Sequence, residues 1–508
     1  MKTYLPASLT RILALLLTLS LLCALVACSQ GSGDTSDDSL DEEAATLPPV
    51  TVPDLTDDRT LTDTSPYAER LEALFAASAP VPASDLTYEI TEEGVTITGY
   101  VGGELILVIP DTIEGSPVTA IASEAFKNMG NLKAVSVPDT VTSIGKAAFA
   151  GCKSLTSMKT PVYTCEDAPY FGALFGATSY ETNGGSVPAG LSTLVLTEGV
   201  AIPDYAFYAC RGLEAVALPD TTAEIGDFAF YGCEGLVYIT TRDTAVVTVG
   251  EHAFAGCARL LELALPHTVT YMGSGMVEGC GKLESLTIPF VGGCTEDYPL
   301  TEEELAAIEK GDAEHPAKTT AYLGYLFGAS HYTFTAGYIP ASLITVTVTE
   351  GCTSIPANAF FECGSVREIH LPEGVTTIGR RAFYGCEFLT AMTLPDSVTA
   401  IGRRAFYGCE FLTAMTLPDS VTAIGDDSFN GCIRMQTFTG GAGLTELGVQ
   451  AFTGCLSLTT VTLPATVTYL PNSCFSGCLS LKTLTAPGVT SMGNRVFHQC
   501  DNLTGWGK

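Results

Sequence analysis

A unit of about 23 residues recurs along the chain, and this repeat constrains the fold more than any other feature. Its clearest mark is a series of phenylalanines, each 23 residues after the last: Phe360, Phe383, Phe406, Phe429 and Phe452. Residues 378–400 and 401–423 are identical, so the unit has been duplicated whole. A period of this length is typical of a solenoid, in which each turn contacts only its neighbours. We therefore predict a β-rich, mixed α-β solenoid of about fifteen units.

Each unit also carries a pattern that places a strand and a core. The stretch from Leu389 to Leu394 predicts a short strand, and Pro395 ends it because proline cannot donate to a ladder. Six or seven buried apolar side chains per unit contribute roughly 10–20 kcal/mol. Ordering the backbone of one unit costs about 1–2 kcal/mol per residue. A single unit is therefore unstable alone and has to stack.

The first 27 residues have the features of an export signal. Lys2 and Arg11 are the only charges before an apolar run from Ile12 to Ala27. Sixteen residues are short for a membrane-spanning helix, which needs about 20, but typical of a signal-peptide core. The end of this run, Leu25-Val26-Ala27-Cys28, resembles a bacterial lipobox. That resemblance implies a lipid on the Cys28 thiol and anchoring to a membrane; an ordinary secretory peptide is the alternative.

Three further regions follow the signal segment. Residues 28–64 carry ten acidic residues against one Arg59, and this composition predicts a disordered acidic tether. Residues 65–113 predict an N-terminal cap, with a helix starting at Pro66 and a β-hairpin after it. Residues 114–508 predict the solenoid itself, in which the repeat is broken by insertions.

Two insertions, near residues 162–200 and 290–354, resemble each other in sequence. The second contains Thr301 and Glu304 at capping-box spacing and Gly311 beyond, which predicts a short helix. Insertions in repeats often carry function. They are equally compatible with a role as spacers.

The repeat itself resembles a known family. The string Ile424-Gly425-x-x-x-Phe429-x-Gly431-Cys432 and its relatives are similar to the BspA-like, or Treponema pallidum-type, leucine-rich repeats. This resemblance covers the chain from about residue 86 onward. It implies a right-handed array of short parallel strands, a bacterial cell-surface location and an adhesive or binding role without catalytic residues. The asparagine ladder of ordinary leucine-rich repeats is absent.

Composition excludes some partners. The formal net charge is −32, whereas nucleic-acid-binding proteins need clustered lysine and arginine. Hydrophobic residues make up 46% of the chain and charged residues 16%, which is typical of a globular protein.

Eighteen cysteines in an exported chain would ordinarily suggest disulfides. Twelve of them, however, share one repeat position: Cys152, Cys210, Cys233, Cys257, Cys280, Cys363, Cys386, Cys409, Cys432, Cys455, Cys478 and Cys500. Stacked turns would hold these side chains parallel, while a disulfide needs a dihedral angle near 90°. We predict a buried column of thiols. A bridge among the other four solenoid cysteines, Cys165, Cys294, Cys352 and Cys474, stays open.

No motif for chemistry is present. The six histidines lack zinc-site spacing, no serine, histidine and aspartate form an assignable triad, and no glycine-rich phosphate loop follows a strand. We therefore expect no enzyme activity, no metal and no cofactor.

Candidate ligand contacts come from the few large or basic side chains. Two arginine pairs form the one basic cluster: Arg380, Arg381, Arg403 and Arg404. They could contact an anionic ligand, or they could balance Asp426 and Asp427 on a solvated surface. Tyr238 and His370 are larger groups on a strand face otherwise rich in threonine, alanine and serine.

These features predict a lipid-anchored, extracytoplasmic scaffold at the cell surface that binds a protein or a glycan. One alternative is a structural envelope protein whose repeats associate with each other. A second alternative, an enzyme that degrades polysaccharides on a repeat platform, is disfavoured because repeats occupy every stretch long enough for a catalytic domain.

Overall fold

The computed structural model describes residues 66–165, 167–293 and 320–507. The predicted signal segment 1–27, the tether 28–64 with Cys28, and the helix predicted from Thr301 lie outside the described residues. Within the described part, no helix is long and apolar enough to cross a membrane.

The chain winds into a parallel-strand solenoid of about 16 turns with little helix, which confirms the predicted fold class. A typical turn contributes one strand to each of two faces. One strand per turn forms what we call the front sheet: Ile106–Val108, Ala134–Ser136, Ser157–Thr160, Thr193–Leu196, Ala215–Ala217, Tyr238–Ile239, Glu262–Ala264, Ser285–Ile288, Thr345–Val348, Glu368–His370, Ala414–Thr416, Thr437–Thr439, Thr460–Thr462, Thr483–Thr485 and Gly505–Gly507.

A second, mostly two-residue strand forms the back sheet: Thr112–Ile113, Ser116–Ile121, Ser143–Ile144, Ala201–Ile202, Glu224–Ile225, Thr248–Val249, Tyr271–Met272, Ser354–Ile355, Thr377–Ile378, Ala400–Ile401, Ala423–Ile424, Glu446–Leu447, Tyr469–Leu470 and Ser491–Met492. Nearly all pairs between turns are parallel, as in Ile378 beside Ile401. Thr112–Ile113 is an exception and pairs antiparallel with Ser116–Ile121.

Successive side chains of a front strand point alternately to the core and to the solvent. Val461 is fully buried, whereas Thr460 and Thr462 on either side of it are exposed. Because side chains alternate across a strand, the later three-residue front strands Glu368–His370, Ala414–Thr416, Thr437–Thr439, Thr460–Thr462 and Thr483–Thr485 bury the middle residue and present both flanking residues outward. The front sheet therefore carries a regular outward surface over many turns.

A column of stacked phenylalanines, which we call anchors, fills the centre of the solenoid. The rings of Phe383 and Phe406 are 5.0 Å apart, and those of Phe406 and Phe429 are 5.1 Å apart and nearly parallel. Each anchor also joins its backbone to the next turn: the N–H of Phe383 donates to the carbonyl of Ala405 at 2.8 Å. Side chain and backbone of one residue thus fix the spacing between turns.

The repeated cysteines complete this contact. The thiol of Cys386 donates to the carbonyl of Phe360, the anchor of the preceding turn, at 3.1 Å. Ten turns make the same bond, with donors Cys152, Cys233, Cys257, Cys280, Cys386, Cys409, Cys432, Cys455, Cys478 and Cys500. The carbonyl of Phe360 also accepts from the N–H of Cys363 in its own turn at 3.2 Å. The thiol therefore adds a second hydrogen bond to this carbonyl, and it comes from the next turn.

The two insertions share a structure as well as a sequence. In the first, the N–H of Phe171 donates to the carbonyl of Ala206 at 2.8 Å; in the second, Leu323 donates to Ala359 at 2.8 Å. Each residue opens a short helical segment, Phe171–Phe175 and Leu323–Leu326. The front sheet continues past both insertions, since Ser285–Ile288 pairs directly with Thr345–Val348.

At the N-terminus the structure has a helix, α1 (Pro66–Ala76), and an antiparallel hairpin, Leu86–Thr91 with Gly94–Tyr100. The second hairpin strand pairs in parallel with Ser116–Ile121 and so begins the back sheet. Helix α1 packs instead on the front sheet, and the role of residues 65–113 as a cap stays a prediction.

Helix α1 lies across the outward side of the front sheet. Its buried Leu71 and Phe75 pack on outward side chains of successive turns: Ile106, Val108, Ala134, Val195 and Ala217. Glu72 adds an ion pair with Lys159 at 2.9 Å. These outward positions are apolar because the helix covers them, in contrast to the threonines of later turns.

The position of α1 can be tested by limited proteolysis. Substitution Phe75→Asp should release the helix, because a buried carboxylate cannot pack against this apolar surface. We expect trypsin to cleave after the exposed Arg70 at least about tenfold faster than in the unsubstituted chain. Leu74→Asp, on the exposed side of the same helix, is the control and should leave the cleavage rate unchanged. Equal rates for both variants and the parent would contradict the contact.

The anchor column can be tested by truncation. Phe406→Ala should lower the free energy of unfolding by about 3–5 kcal/mol, because the cavity cannot refill between two fixed turns. Phe388→Ala removes an exposed ring from the same unit and should cost less than about 1 kcal/mol. Urea unfolding followed by circular dichroism measures both; similar losses would show that the anchor column does not hold the turns together.

Candidate binding surfaces

The turn just before each anchor contains a position that the fold leaves open to many side chains. The residue two places before the anchor has a left-handed backbone in turn after turn: Glu124, Ala147, Tyr205, Phe228, His252, Asn358, Arg381, Arg404, Asp427, Gln450, Ser473 and Arg495. Residues as different as Ala147, Asp427 and Gln450 occupy it. The backbone conformation is therefore imposed by the repeat, while the side chain is not.

Three places before the anchor, a carboxylate or amide often links two turns. Oδ1 of Asp204 accepts from the N–H of Asp227 at 2.8 Å, and Oδ1 of Asp227 accepts from Glu251 at 2.7 Å. Asn472 makes the same bond to the N–H of Asn494 at 2.7 Å. Oδ1 of Asp426 accepts from the N–H of Val449 at 2.7 Å in the same way. The recurrence of Asp or Asn three residues before the anchor was the sequence signal for these bonds.

Downstream of the first insertion, these edge positions hold a cluster that we call the first aromatic surface: Tyr180, Tyr205, Tyr208, Phe228, Tyr231 and His252. Tyr205 and Phe228 stack with ring planes 1° apart, and Phe228 stacks on His252, both at 5.1 Å. Tyr208 and Tyr231 form a second stack at 5.2 Å. Tyr180, from the insertion, lies 4.3 Å from Tyr205. One insertion and three turns thus build one surface.

Downstream of the second insertion, the residue after the anchor forms a similar set of rings, the second aromatic column: Phe361, Tyr384 and Tyr407. Neighbouring rings stack at 4.9 Å. Tyr332 of the insertion packs edge-on against Phe361 at 5.0 Å. Both insertions therefore contribute a tyrosine to aromatic residues on the turns that follow.

The predicted arginine cluster lies beside this second column. The Cζ atom of Arg381 is 5.8 Å from the centre of the Tyr384 ring, and that of Arg404 is 6.0 Å from Tyr407. Nε of Arg404 also lies 3.3 Å from Oδ2 of the buried Asp427, as the charge-balance alternative expects. Arg403 is half-buried.

Arg380 differs from the other three arginines because only 4% of its surface is exposed. A ligand could contact its side chain only after the turn rearranged. Arg381, Arg403 and Arg404 are therefore partly exposed at the surface, whereas Arg380 is buried.

Tyr238 and His370 lie elsewhere, on the front sheet. Tyr238 is half-buried on Tyr238–Ile239, and the exposed His370 is 3.7 Å from Glu368 on its own strand. The six candidate contacts thus fall on two different parts of the solenoid. Their contact with a ligand stays a prediction.

The front sheet is interrupted beside His370. Ala391 to Thr393 form a single bridge to Glu368, whereas the identical sequence Ala414–Thr416, one unit later, forms a strand. The interruption opens a cleft of about 390 Å³ lined by Glu368, His370 and Glu373 among others.

The described thiols are unsuited to chemistry. All fifteen are free, and every one except the half-buried Cys165 is buried. Burial raises the pKa of Cys233 and of Cys280 to about 12, so both stay protonated near neutral pH. Within the described residues, no group of three histidine, cysteine or acidic side chains could hold a metal ion. Cys352 and Cys474 are free as well, and Cys294 lies outside the described residues.

Thiol alkylation tests this assignment. A brief exposure of the native protein to iodoacetamide at pH 8 should modify Cys165 and leave Cys233 and Cys280 unmodified, because a buried thiol with a raised pKa supplies almost no thiolate. After unfolding in guanidinium all three should react. Peptide mass mapping reads each site separately. Equal native reactivity at Cys165 and Cys233, or a disulfide at Cys233, would contradict the thiol column.

Comparison with known proteins supports the architecture. The family model described as "BspA type Leucine rich repeat region (6 copies)" matches residues 116–168, 190–293, 332–439 and 399–505. Together these segments cover more than half of the chain. No curated protein matches it.

Solved structures of bacterial repeat proteins are similar to this chain along most of their length. A leucine-rich repeat protein from Bacteroides ovatus is 21% identical over 82% of this chain and 92% of its own, with a TM-score of 0.33. A leucine-rich cell surface protein from Faecalibacterium prausnitzii is 18% identical over 84% and 94%, with a TM-score of 0.24. The T. pallidum leucine-rich repeat protein is 16% identical over 84% and 91%, with a TM-score of 0.21.

Proposed function

Because the chain belongs to the BspA-type leucine-rich repeat family, we propose that it is a lipid-anchored cell-surface scaffold that binds protein or glycan ligands without catalysis. The family is one of surface proteins, and its repeats suit a binding role. The lipobox-like Cys28 and the acidic tether support the anchor. Beyond the membrane anchor, the partner is an extracellular protein or glycan.

One observation carries the proposal: the front sheet of the later turns presents a regular array of exposed hydroxyl groups. It consists of Thr416, Thr437, Thr439, Thr460, Thr462, Thr483 and Thr485. Strands about 4.8 Å apart place these groups at even spacing along the sheet. Such a surface suits an extended protein or glycan rather than a small molecule, which needs a concave apolar pocket.

An array experiment tests the scaffold. Residues 65–508 are applied to immobilised glycans and matrix proteins, and we expect binding to at least one of them. Thr460→Arg with Thr483→Arg on the front sheet should weaken that binding at least about tenfold, because the larger side chains break the flat surface. Thr399→Arg with Thr422→Arg, also exposed and 23 residues apart but off the front sheet, is the matched control.

Two results would count against the proposal. Failure to bind any ligand on the array removes its basis, and equal losses for both pairs of variants would move the binding surface away from the front sheet. Concentration-dependent assembly in sedimentation velocity, with no ligand present, would instead favour a self-associating envelope protein.

A further inference from the structure

On the first aromatic surface, an acidic residue directly precedes an aromatic one in three consecutive turns. The pairs are Asp204-Tyr205, Asp227-Phe228 and Glu251-His252. Because the turns stack, the acidic side chains form one column and the rings form a second column beside it. Tyr208 and Tyr231 form a third, also by stacking.

The fold does not require aromatic residues at these positions. The left-handed backbone at Tyr205, Phe228 and His252 is rarely adopted by bulky side chains. Other turns place Ala147 or Gln450 there in the same conformation. Three successive rings at a disfavoured position point to a function of the surface rather than to packing of the core.

One ring of this surface is left open to solvent. The stack of Tyr208 and Tyr231 ends because the next turn has Ala255 at the corresponding position. Tyr231 is 37% exposed, in contrast to the buried anchor Phe230 beside it. On a surface that carries both an exposed tyrosine and carboxylates, a cationic side chain gains both ring and charge contacts.

The charge of the surface is negative. The carboxylates of Asp204 and Asp227 each use Oδ1 on the backbone of the next turn, and their charge remains. Glu278 lies 3.3 Å from His252 and adds a further carboxylate. Burial, followed by Tyr180, Asp204 and Asp227, raises the pKa of Tyr205, so its hydroxyl stays protonated. None of the six residues of this surface is a lysine or an arginine.

We propose that the first aromatic surface docks a lysine- or arginine-rich segment of another protein. Its cationic side chains would contact the acidic column while their apolar stems lie along the tyrosines. This inference rests on the proposed binding function and names a surface and a partner class for it.

A second copy of the chain is the main competing occupant. Where the first aromatic surface has Asp204 and Asp227, the second aromatic column has the half-buried Arg403 at the same repeat position and Arg381 and Arg404 one place later. The two regions are therefore opposite in charge. Association of two copies would nevertheless bring together two molecules of net charge −32, and a basic partner avoids that repulsion.

Fluorescence anisotropy of a labelled octalysine peptide, titrated with the full chain in detergent at 0.15 M salt, tests the proposal. Asp204→Asn with Asp227→Asn should raise Kd about fivefold, because two charges are lost. The fold should persist, since Asn472 makes the same turn-to-turn bond as a natural residue. Asp419→Asn with Asp426→Asn removes two charges from the same type of bond elsewhere. This control pair should leave Kd within about twofold.

The rings are tested separately. Tyr208→Thr with Tyr231→Thr should also raise Kd about fivefold, while Tyr208→Phe with Tyr231→Phe should restore binding. Tyr384→Thr with Tyr407→Thr changes the same repeat position beside arginines and should have no effect. Threonine already occurs there as Thr453. Thermal melting of each variant shows whether a loss of binding reflects a loss of fold.

Several outcomes would overturn the assignment. Equal losses from the two Asp→Asn pairs would show a net-charge effect only, and unchanged Kd in every variant would exclude this surface. Sedimentation velocity showing dimers that Asp204→Asn with Asp227→Asn dissolves would make the occupant a second copy. If the array ligands bind normally to all these variants, the proposed scaffold function still holds, but the first aromatic surface is not the site that binds them.

Discussion

The stacking of one turn on the next through the anchor phenylalanine is the contact on which the rest of the structure depends. Three parts of that residue are committed at once: the ring of Phe383 stacks on Phe406, its N–H donates to Ala405, and its carbonyl accepts from the thiol of Cys409. Any change in unit length that moved the anchor would break all three bonds together. The period therefore varies little, and additional residues have to leave the stack as insertions while the front sheet continues past them.

Because the core is fixed, chemical variety is confined to a few outward positions. The residues two and three places before the anchor, and the residue after it, hold a different chemistry in each part of the chain. Tyr205 and Asp204 make one edge region aromatic and acidic, and Arg381 and Arg404 make another aromatic and basic. The repeat can change its surface in this way because none of these positions holds the anchor ring itself.

The period, the front strands of most units and the burial of the repeated cysteines could be predicted from the sequence, because each follows from contacts at constant spacing. The strand predicted between Leu389 and Leu394 is reduced to a single bridge at Ala391. The hydrogen bond from each thiol to an anchor carbonyl could not, since it joins two turns through the backbone. Helix α1 was recognisable, but not its place on the front sheet: the apolar Ile106 and Val195 that receive it belong to turns far apart in the chain. The aromatic surfaces were missed because residues such as Tyr180 and Tyr205 meet only after the insertion folds back.

The N-terminal helix also divides the front sheet by chemistry. Outward positions beneath α1 are apolar, as at Ile106 and Val108, whereas those of the later turns are exposed threonines such as Thr460. Without the helix, an apolar residue at an outward position would be exposed to water. A threonine at the same position beneath the helix would lose the apolar contact with Phe75. The outward residues of the front sheet are therefore apolar where helix α1 covers it and mostly threonines on the later turns, which the helix does not cover. The proposed ligand of the front sheet therefore has to bind beyond helix α1 or displace it, and the threonine array that we propose as its contact lies beyond the helix.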